Sequence, residues 1–289
     1  MNDIESYIAS VKSRVDFYIE QFYSQRKEII PDRLYEVLNY AIFPGGKMLR
    51  PAIVSGFCEE MGSDPAIALP VASAIEMIHT FSLIHDDLPC MDNDDYRRGR
   101  ETVHKRYSEA LALLCGDALL TDAFMLVSEA KEISDRDKNR IIYLISRYAG
   151  SMGMIGGQVL DIEYSRSRDR TDPFALIRLK TANMFILSSL CGAICSGKEY
   201  IESGIVGFGE DFGILFQLTD DMIDFQQDKK GSFNAVETYG IEEVVRQIDE
   251  RYKRLSRFIV DSSFNLGIIS GIVDLVIKRV EGIKNTLDV

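Results

Sequence analysis

The chain has 289 residues, 46% of them apolar, and a formal net charge of −12. Length and apolar content suffice for one large packed core. The acidic balance excludes a general nucleic-acid surface, which needs a basic footprint, and suits metal cations or positively charged partners. At the N-terminus, MNDIESYIASVKSRVDFYIEQFY is amphipathic and charged throughout, so a helix is expected there and no signal peptide. Beyond it, apolar residues recur three and four apart, as at Leu111, Leu114, Ala118, Leu119 and Ala123, and period-two alternation is nearly absent. That periodicity predicts an all-α protein. Breaks are expected near 28–32, 44–46, 62–65, 89–99, 134–137, 165–173, 197–200 and 226–234. No linker or low-complexity segment divides the chain, so one domain over 1–289 is expected. The longest weakly polar stretch, 185–196, is too short and too rich in Ser and Cys to cross a membrane, and an integral membrane protein is not expected. The five cysteines, Cys58, Cys90, Cys115, Cys191 and Cys195, form no CxxC pair, and their odd count suits a reducing cytoplasm. Cys191 and Cys195, one helical turn apart, read as small core residues.

Two acidic clusters interrupt this pattern. LIHDDLPCMDNDD at 83–95 carries Asp86, Asp87, Asp92, Asp94 and Asp95 directly after an apolar helix. Pro89 forces the chain out of helical geometry around Leu88, which leaves Asp92 free to fold back towards Asp86. FQLTDDMIDF at 216–225 places Asp220 and Asp224 four apart on one helical face, with Asp221 beside them and apolar flanks on both sides. Close carboxylates repel, and burying them unpaired is costly. Facing each other across a cavity, two such clusters offer the hard oxygen ligands that suit Mg²⁺, an ion that keeps waters and shares itself with substrate phosphates. Neutralising Asp86 or Asp220 should then relieve repulsion and leave stability equal or higher.

Cations gather near the same segments. Lys47 and Arg50 follow a Gly-Gly turn in FPGGKMLRP, Arg97, Arg98 and Arg100 follow the first acidic run, His104 and Lys105 come soon after, and Lys180 and Thr181 sit in LKTANMF. Basic residues beside glycine turns and carboxylates suggest a diphosphate held between metals and cations. The three histidines, His79, His85 and His104, all surround the first cluster. His79 lies two helical turns, roughly 10 Å, before Asp86 on nearly the same stripe. It is either an ordinary core histidine or a donor to a second phosphate deeper in the pocket.

Together these residues resemble the trans-prenyltransferase family, the short-chain isoprenyl diphosphate synthases. GGKMLRP resembles the family's GGKxxRP element, and IHTFSLIHDDLPCMDNDDYRRGR its first aspartate-rich motif with the adjoining arginines. GGQVLDIE at 156–163 resembles its GGQ…D element, and LKT and FQLTDDMID its KT pair and second aspartate-rich motif. The resemblance implies a bundle of long antiparallel helices around a deep cavity, as a cytoplasmic homodimer. It implies that three Mg²⁺ ions grip the diphosphate of an allylic substrate (dimethylallyl, geranyl or farnesyl diphosphate), whose carbon chain then alkylates isopentenyl diphosphate. By the same resemblance Asp86, Asp92 and Asp220 are direct Mg²⁺ ligands, with Asp87, Asp221 and Asp224 supporting them or their waters. Lys47, Arg50, His79 and Arg98 would bind isopentenyl diphosphate, and Arg97 and Lys180 the allylic diphosphate. Thr181 and Gln217 would present oxygens near the nascent cation, with Gln158 and Asp161 behind them.

The sequence departs from the family after the second motif, where a lysine-bearing segment normally closes over the allylic diphosphate. Here QQDKKGSFNAVETYG is shorter, and Lys229 and Lys230 are expected to supply that contact. Phe81 and Ser82, five and four residues before Asp86, are expected to floor the chain-elongation pocket. An aromatic there goes with fifteen-carbon products in the family, so farnesyl diphosphate is the expected product and geranylgeranyl diphosphate the alternative. Three rival readings remain: a terpene cyclase, which would not need a second diphosphate site; an HD-type phosphohydrolase built on His85-Asp86; and a weakly active or regulatory subunit of a prenyltransferase.

Overall fold

The computed structural model describes residues 2–43, 46–166, 172–198, 200, 202–226 and 233–286. The all-α expectation holds. Four helices lead to the first acidic run: α1 (Asn2–Ser24), α2 (Asp32–Ile42), α3 (Leu49–Glu60) and α4 (Pro65–Asp86). After the short α5 (Val103–Arg106) come α6 (Glu109–Ser128), α7 (Asp135–Ala149) and α8 (Met154–Arg166). Then α9 (Pro173–Ile177) passes through one π-helical turn (Arg178–Ala182) into α10 (Asn183–Cys195). The chain ends with α11 (Glu202–Gln226), the short α12 (Ala235–Tyr239), α13 (Ile241–Asp261) and α14 (Gly267–Thr286).

Local chemistry sets these boundaries. Asp64 caps α4 by accepting from the Ala66 amide at 2.9 Å, with Pro65 in the first helical position, where its missing N–H costs nothing. Ser108, Ser134 and Asp172 cap α6, α7 and α9 in the same way. The first turn of α14 is capped from far away: Glu60, the last residue of α3, accepts from the amides of Ile268 and Ile269.

Burial follows composition. All residues of α10 are buried, and α4 is buried on every side along most of its length, whereas α7 and α13 bury one stripe only. The apolar helices therefore form the centre. There α4 packs on α3, α6 and α10, while α11 packs on α10, α13 and α14.

Three features correct the sequence reading. A two-stranded hairpin, β1 (Tyr96–Arg97) with β2 (Arg100–Glu101), interrupts the helices. Its strands are too short for alternation to register. Its loop consists of Arg98 (φ 53°) and Gly99 (φ 76°), and positive φ at both central residues is what a tight twisted hairpin demands. Second, the stretch at 185–196 is not the longest apolar segment once helices are drawn. Three helical spans, Pro65–Asp86, Glu109–Ser128 and Pro173–Cys195, are long and apolar enough to cross a membrane by length and composition alone. The first and third are 67% and 72% buried inside the fold, which accounts for their composition, but α6 is only 39% buried. Third, helices also end at Tyr107, at 150–153, at Gly240 and at 262–266, where no break was expected. All five cysteines are free, and Cys191 and Cys195 are buried as expected.

Candidate active site

A cavity of about 850 Å³ opens between the ends of α4 and α11, within the size range of small-molecule sites. Each acidic cluster contributes one carboxylate to its lining, Asp86 and Asp220. Asp86 is the last residue of α4, and Asp87 follows as its C-cap. The chain then turns sharply: the Met91 amide donates to the Leu88 carbonyl at 2.8 Å, and the Asp92 amide donates to the Asp86 carbonyl at 2.9 Å. The expected fold-back therefore occurs, and Asp92 stands beside the helix end. Arg97, on β1, donates to the Asp87 carboxylate and, at 3.0 Å, to Asp94. Burial pushes the Asp86 and Asp87 carboxyls up to about 6, although Lys180 opposes the shift at Asp86 and Arg97 opposes it at Asp87. Burial also raises the Asp92 carboxyl.

The second cluster is arranged differently. Asp220 lines the cavity and accepts from two cations, Arg279 of α14 and Lys47 at 3.3 Å. Asp221 is buried and turned to a structural task. One oxygen accepts from the Gln217 amide at 2.8 Å and the other from the Ala235 backbone at 2.9 Å, while its carbonyl accepts from Asn234. Burial pushes its carboxyl up to about 7. Asp87, Asp92, Asp221 and Asp224 do not line the cavity wall, whereas Asp86 and Asp220 do.

The cations assigned to isopentenyl diphosphate, Lys47, Arg50, His79 and Arg98, all line the cavity. Met48 helps to place two of them. It takes a left-handed conformation (φ 53°) just before α3 begins, so that Lys47 and Arg50 both face inward. With Asn93 and Arg98 it completes the set of non-glycine residues with positive φ among the described residues, and all three lie in loops of this site. Such strain persists where surrounding structure enforces it. The guanidinium of Arg50 lies 4.5 Å from the Phe185 ring centre, and Lys47 Nζ 5.1 Å from that of Phe216. Burial, and then the nearby charges of Arg50, Arg98 and Arg97, hold the His79 imidazole well below its ordinary range. That shift disfavours the charged imidazole at the cavity wall. Sequence reasoning missed Glu76, a buried carboxylate one turn before His79, which also lines the cavity and whose charge Arg50 and Arg98 favour against burial.

The π-helical turn carries Lys180 and Thr181, and both reach the cavity. A single π turn adds one residue to the helical circuit and is a recurring device at functional sites. Lys180 pairs with Asp161 of α8. Thr181 Oγ1 donates to Gln217 at 2.8 Å, which in turn donates to Asp221, so a chain of hydrogen bonds joins the π-helical turn to α11. Gly157 makes the approach of α8 possible: a Cβ there would stand 2.3 Å from the Lys180 backbone nitrogen. Gln158 lines the cavity and Asp161 lies buried behind it.

Away from the charges the wall turns apolar, with Phe81, Leu113, Ile155 and Val159. Phe81 meets His85 edge to face, with ring centres 5.4 Å apart. Ser82 also lines the cavity, its hydroxyl donating to the His79 carbonyl at 2.8 Å. His85 Nε2 lies 3.1 Å from the Leu113 carbonyl and must donate to it, which removes that nitrogen as a metal ligand and tells against an HD-type phosphohydrolase. Lys229 and Lys230 lie outside the described residues. So does Gly45 of the Gly-Gly turn.

The donor set fits Mg²⁺ in one particular way. Among the described residues no three His, Cys, Asp or Glu side chains converge on one point, so no all-protein cage is present. Mg²⁺ instead binds through one or two carboxylates and completes its shell with water and substrate phosphate. Asp86, whose burial is not fully offset, and Asp220 at the cavity wall supply carboxylates of that kind.

The polyprenyl synthetase family profile matches residues 31–234. The farnesyl diphosphate synthase of Bacillus subtilis is 34% identical over 295 residues, which span 96% of this chain and 99% of that protein. Among solved structures, the apo FPP/GFPP synthase of Zymomonas mobilis is 33% identical with a TM-score of 0.85, covering 95% of this chain and 99% of that one. The geranyltransferase of Helicobacter pylori, complexed with magnesium and isoprenyl diphosphate, is 28% identical with a TM-score of 0.76, covering 92% of this chain and 98% of that one.

Proposed function

This chain belongs to the polyprenyl synthetase family of trans-isoprenyl diphosphate synthases, and we propose that it condenses an allylic diphosphate with isopentenyl diphosphate to yield farnesyl diphosphate. The observation that carries this reading is one cavity lined by the cations Lys47, Arg50, Arg97, Arg98 and Lys180, by His79 and by the carboxylates of Asp86 and Asp220, with Phe81 in its apolar region.

We assign Asp86, Asp92 and Asp220 to hold Mg²⁺, with Asp87, Asp221 and Asp224 in support. Three such ions, when bound, would stabilise the charge that develops on the departing diphosphate. The remaining work belongs to the chain itself. Arg97 and Lys180 orient the allylic diphosphate by charge-assisted hydrogen bonds. Glu76 offsets the charge of Arg50 and Arg98 in this part of the cavity. The Thr181 hydroxyl and the Gln217 amide oxygen, held by the bond to Asp221, present negative dipoles to the allylic cation. The apolar wall keeps water from quenching that cation. Lys229 and Lys230 are assigned to the allylic diphosphate from sequence alone.

We further place the protein in the cytoplasm as a homodimer, one domain over 1–289. The half-exposed Leu113 and Leu114 on the incompletely buried α6 support a second copy packing there. Incubating the pure chain with Mg²⁺, labelled isopentenyl diphosphate and each allylic diphosphate in turn tests the reading. A fifteen-carbon product is expected. A twenty-carbon product would replace farnesyl by geranylgeranyl diphosphate, and no elongation with any acceptor would overturn the enzymatic assignment.

A further inference from the structure

One cation of the site comes from a part of the chain that no motif marks. Arg279 lies near the end of α14 and reaches Asp220 across 59 residues of sequence. The oxygen it meets, Asp220 Oδ1, also accepts from Lys47. Both cations stand over the same Phe216 ring, at 5.5 and 5.1 Å from its centre. The second guanidinium nitrogen, Arg279 Nη1, is buried and has no hydrogen-bond partner. At its other end α14 is clamped to the end of α3 by Glu60. Thus α14, whose apolar stripe of Ile269, Ile272, Val273, Val276 and Val280 is buried in the bundle, adds to that packing a cap at its start and, near its end, an ion pair to a carboxylate of the cavity wall.

We infer that Arg279 is an internal counter-ion that occupies Asp220 in the metal-free protein and is displaced when a divalent cation binds there, so that metal loading releases the end of α14. This rests on the reading that Asp220 holds metal. The physical reason is charge. One carboxylate oxygen satisfies two monovalent cations only while no stronger cation competes, and a divalent ion on Asp220 would repel both. Lys47 has a flexible stem and a diphosphate to turn to. Arg279 has no such second anion among the described residues, so the last turns of α14 lose the ion pair that ties them to the cavity wall.

The test uses the full chain with Mn²⁺ and inorganic pyrophosphate, following free Mn²⁺ by electron paramagnetic resonance. Arg279→Gln removes the competitor, so Mn²⁺ should bind about ten-fold more tightly than to the parent chain, the worth of one charge-assisted contact. Arg279→Lys should fall between the two. Hydrogen exchange supplies a second readout. In the parent chain the amides around 276–281 should exchange faster once Mn²⁺ and pyrophosphate are added, whereas in Arg279→Gln they should already exchange fast without metal. Equal or weaker Mn²⁺ binding in Arg279→Gln would overturn the inference, as would α14 exchange in the parent chain that ignores metal. Should Arg279→Gln fail to fold, Arg279→Lys and the parent exchange experiment decide alone. Failure of the underlying reading looks different: Asp220→Asn would then bind Mn²⁺ as well as the parent chain does, and both would fall.

Discussion

At the end of α4, burial outweighs the help that Asp86 and Asp87 receive from Lys180 and Arg97, and both carboxyls are pushed up to about 6. On α11 the corresponding Asp220 is met by two cations, Arg279 and Lys47, while its neighbour Asp221 is spent on holding α12 and Gln217. An adjacent pair of aspartates, present in both clusters, thus says little about how their repulsion is relieved. Cations are placed unevenly within each cluster: Arg97 meets Asp87 and Asp94, and Arg279 and Lys47 meet Asp220, while Asp86 and Asp221 are raised chiefly by burial. The expectation that neutralising either cluster leaves stability equal or higher therefore applies to Asp86 and reverses for Asp220.

Activity should erase the difference. Asp86→Asn and Asp220→Asn are each expected to lower turnover by roughly 10²–10³-fold or more, the scale of losing a group that stabilises developing charge. Steady-state kinetics at saturating Mg²⁺ measures this, and near-normal turnover in either variant would remove that cluster from the chemistry.

Stability without metal should separate them. Asp220→Ala strands Arg279 and Lys47, and a broken charged contact is worth roughly 1–3 kcal/mol, so the melting temperature should fall by several degrees. Asp86→Ala should hold or raise it. Thermal melts in chelator check the sign of each change, and two equal shifts would mean that the clusters are electrostatically alike.

The helix that carries the first cluster also carries Phe81 in the apolar wall, whereas the cavity-lining aromatic of α11, Phe216, lies under Lys47 and Arg279. Phe81→Ala should lengthen the products past fifteen carbons while leaving Mn²⁺ affinity unchanged. Unaltered product length, read by chromatography of the dephosphorylated prenols, would put the limit elsewhere in the wall.

The smallest expected effect is on pH. A carboxyl raised in the folded state binds its proton more tightly there than in the unfolded chain. Its stabilising contribution is complete below the unfolded value near 3.8 and is lost as pH rises through about 6. Metal-free Asp86→Asn should accordingly gain on the parent chain between about pH 4 and pH 6, by a few degrees in melting temperature. A constant gap would show that Asp86 is solvated and unstrained.

Much of this site was legible in the residues. Helical periodicity gave the fold class, Pro89 foretold the fold-back of Asp92, and Lys47, Arg50, Arg98 and Lys180 were found from their neighbours in sequence. Those signals are local, because a proline, a four-residue spacing or a glycine turn restricts the backbone within a few residues of itself. Other features were decided only by packing. Nothing in the run IKRVEG marks Arg279 as a partner of Asp220, and nothing in AIEMIH marks Glu76 as the carboxylate gathered with two arginines. The burial that turns Asp221 towards Ala235, and the exposure that leaves α6 half covered despite its composition, are likewise invisible to periodicity. Charge balance at a buried group depends on which distant cation arrives within a few ångströms, and the sequence specifies that only through the whole set of helix contacts.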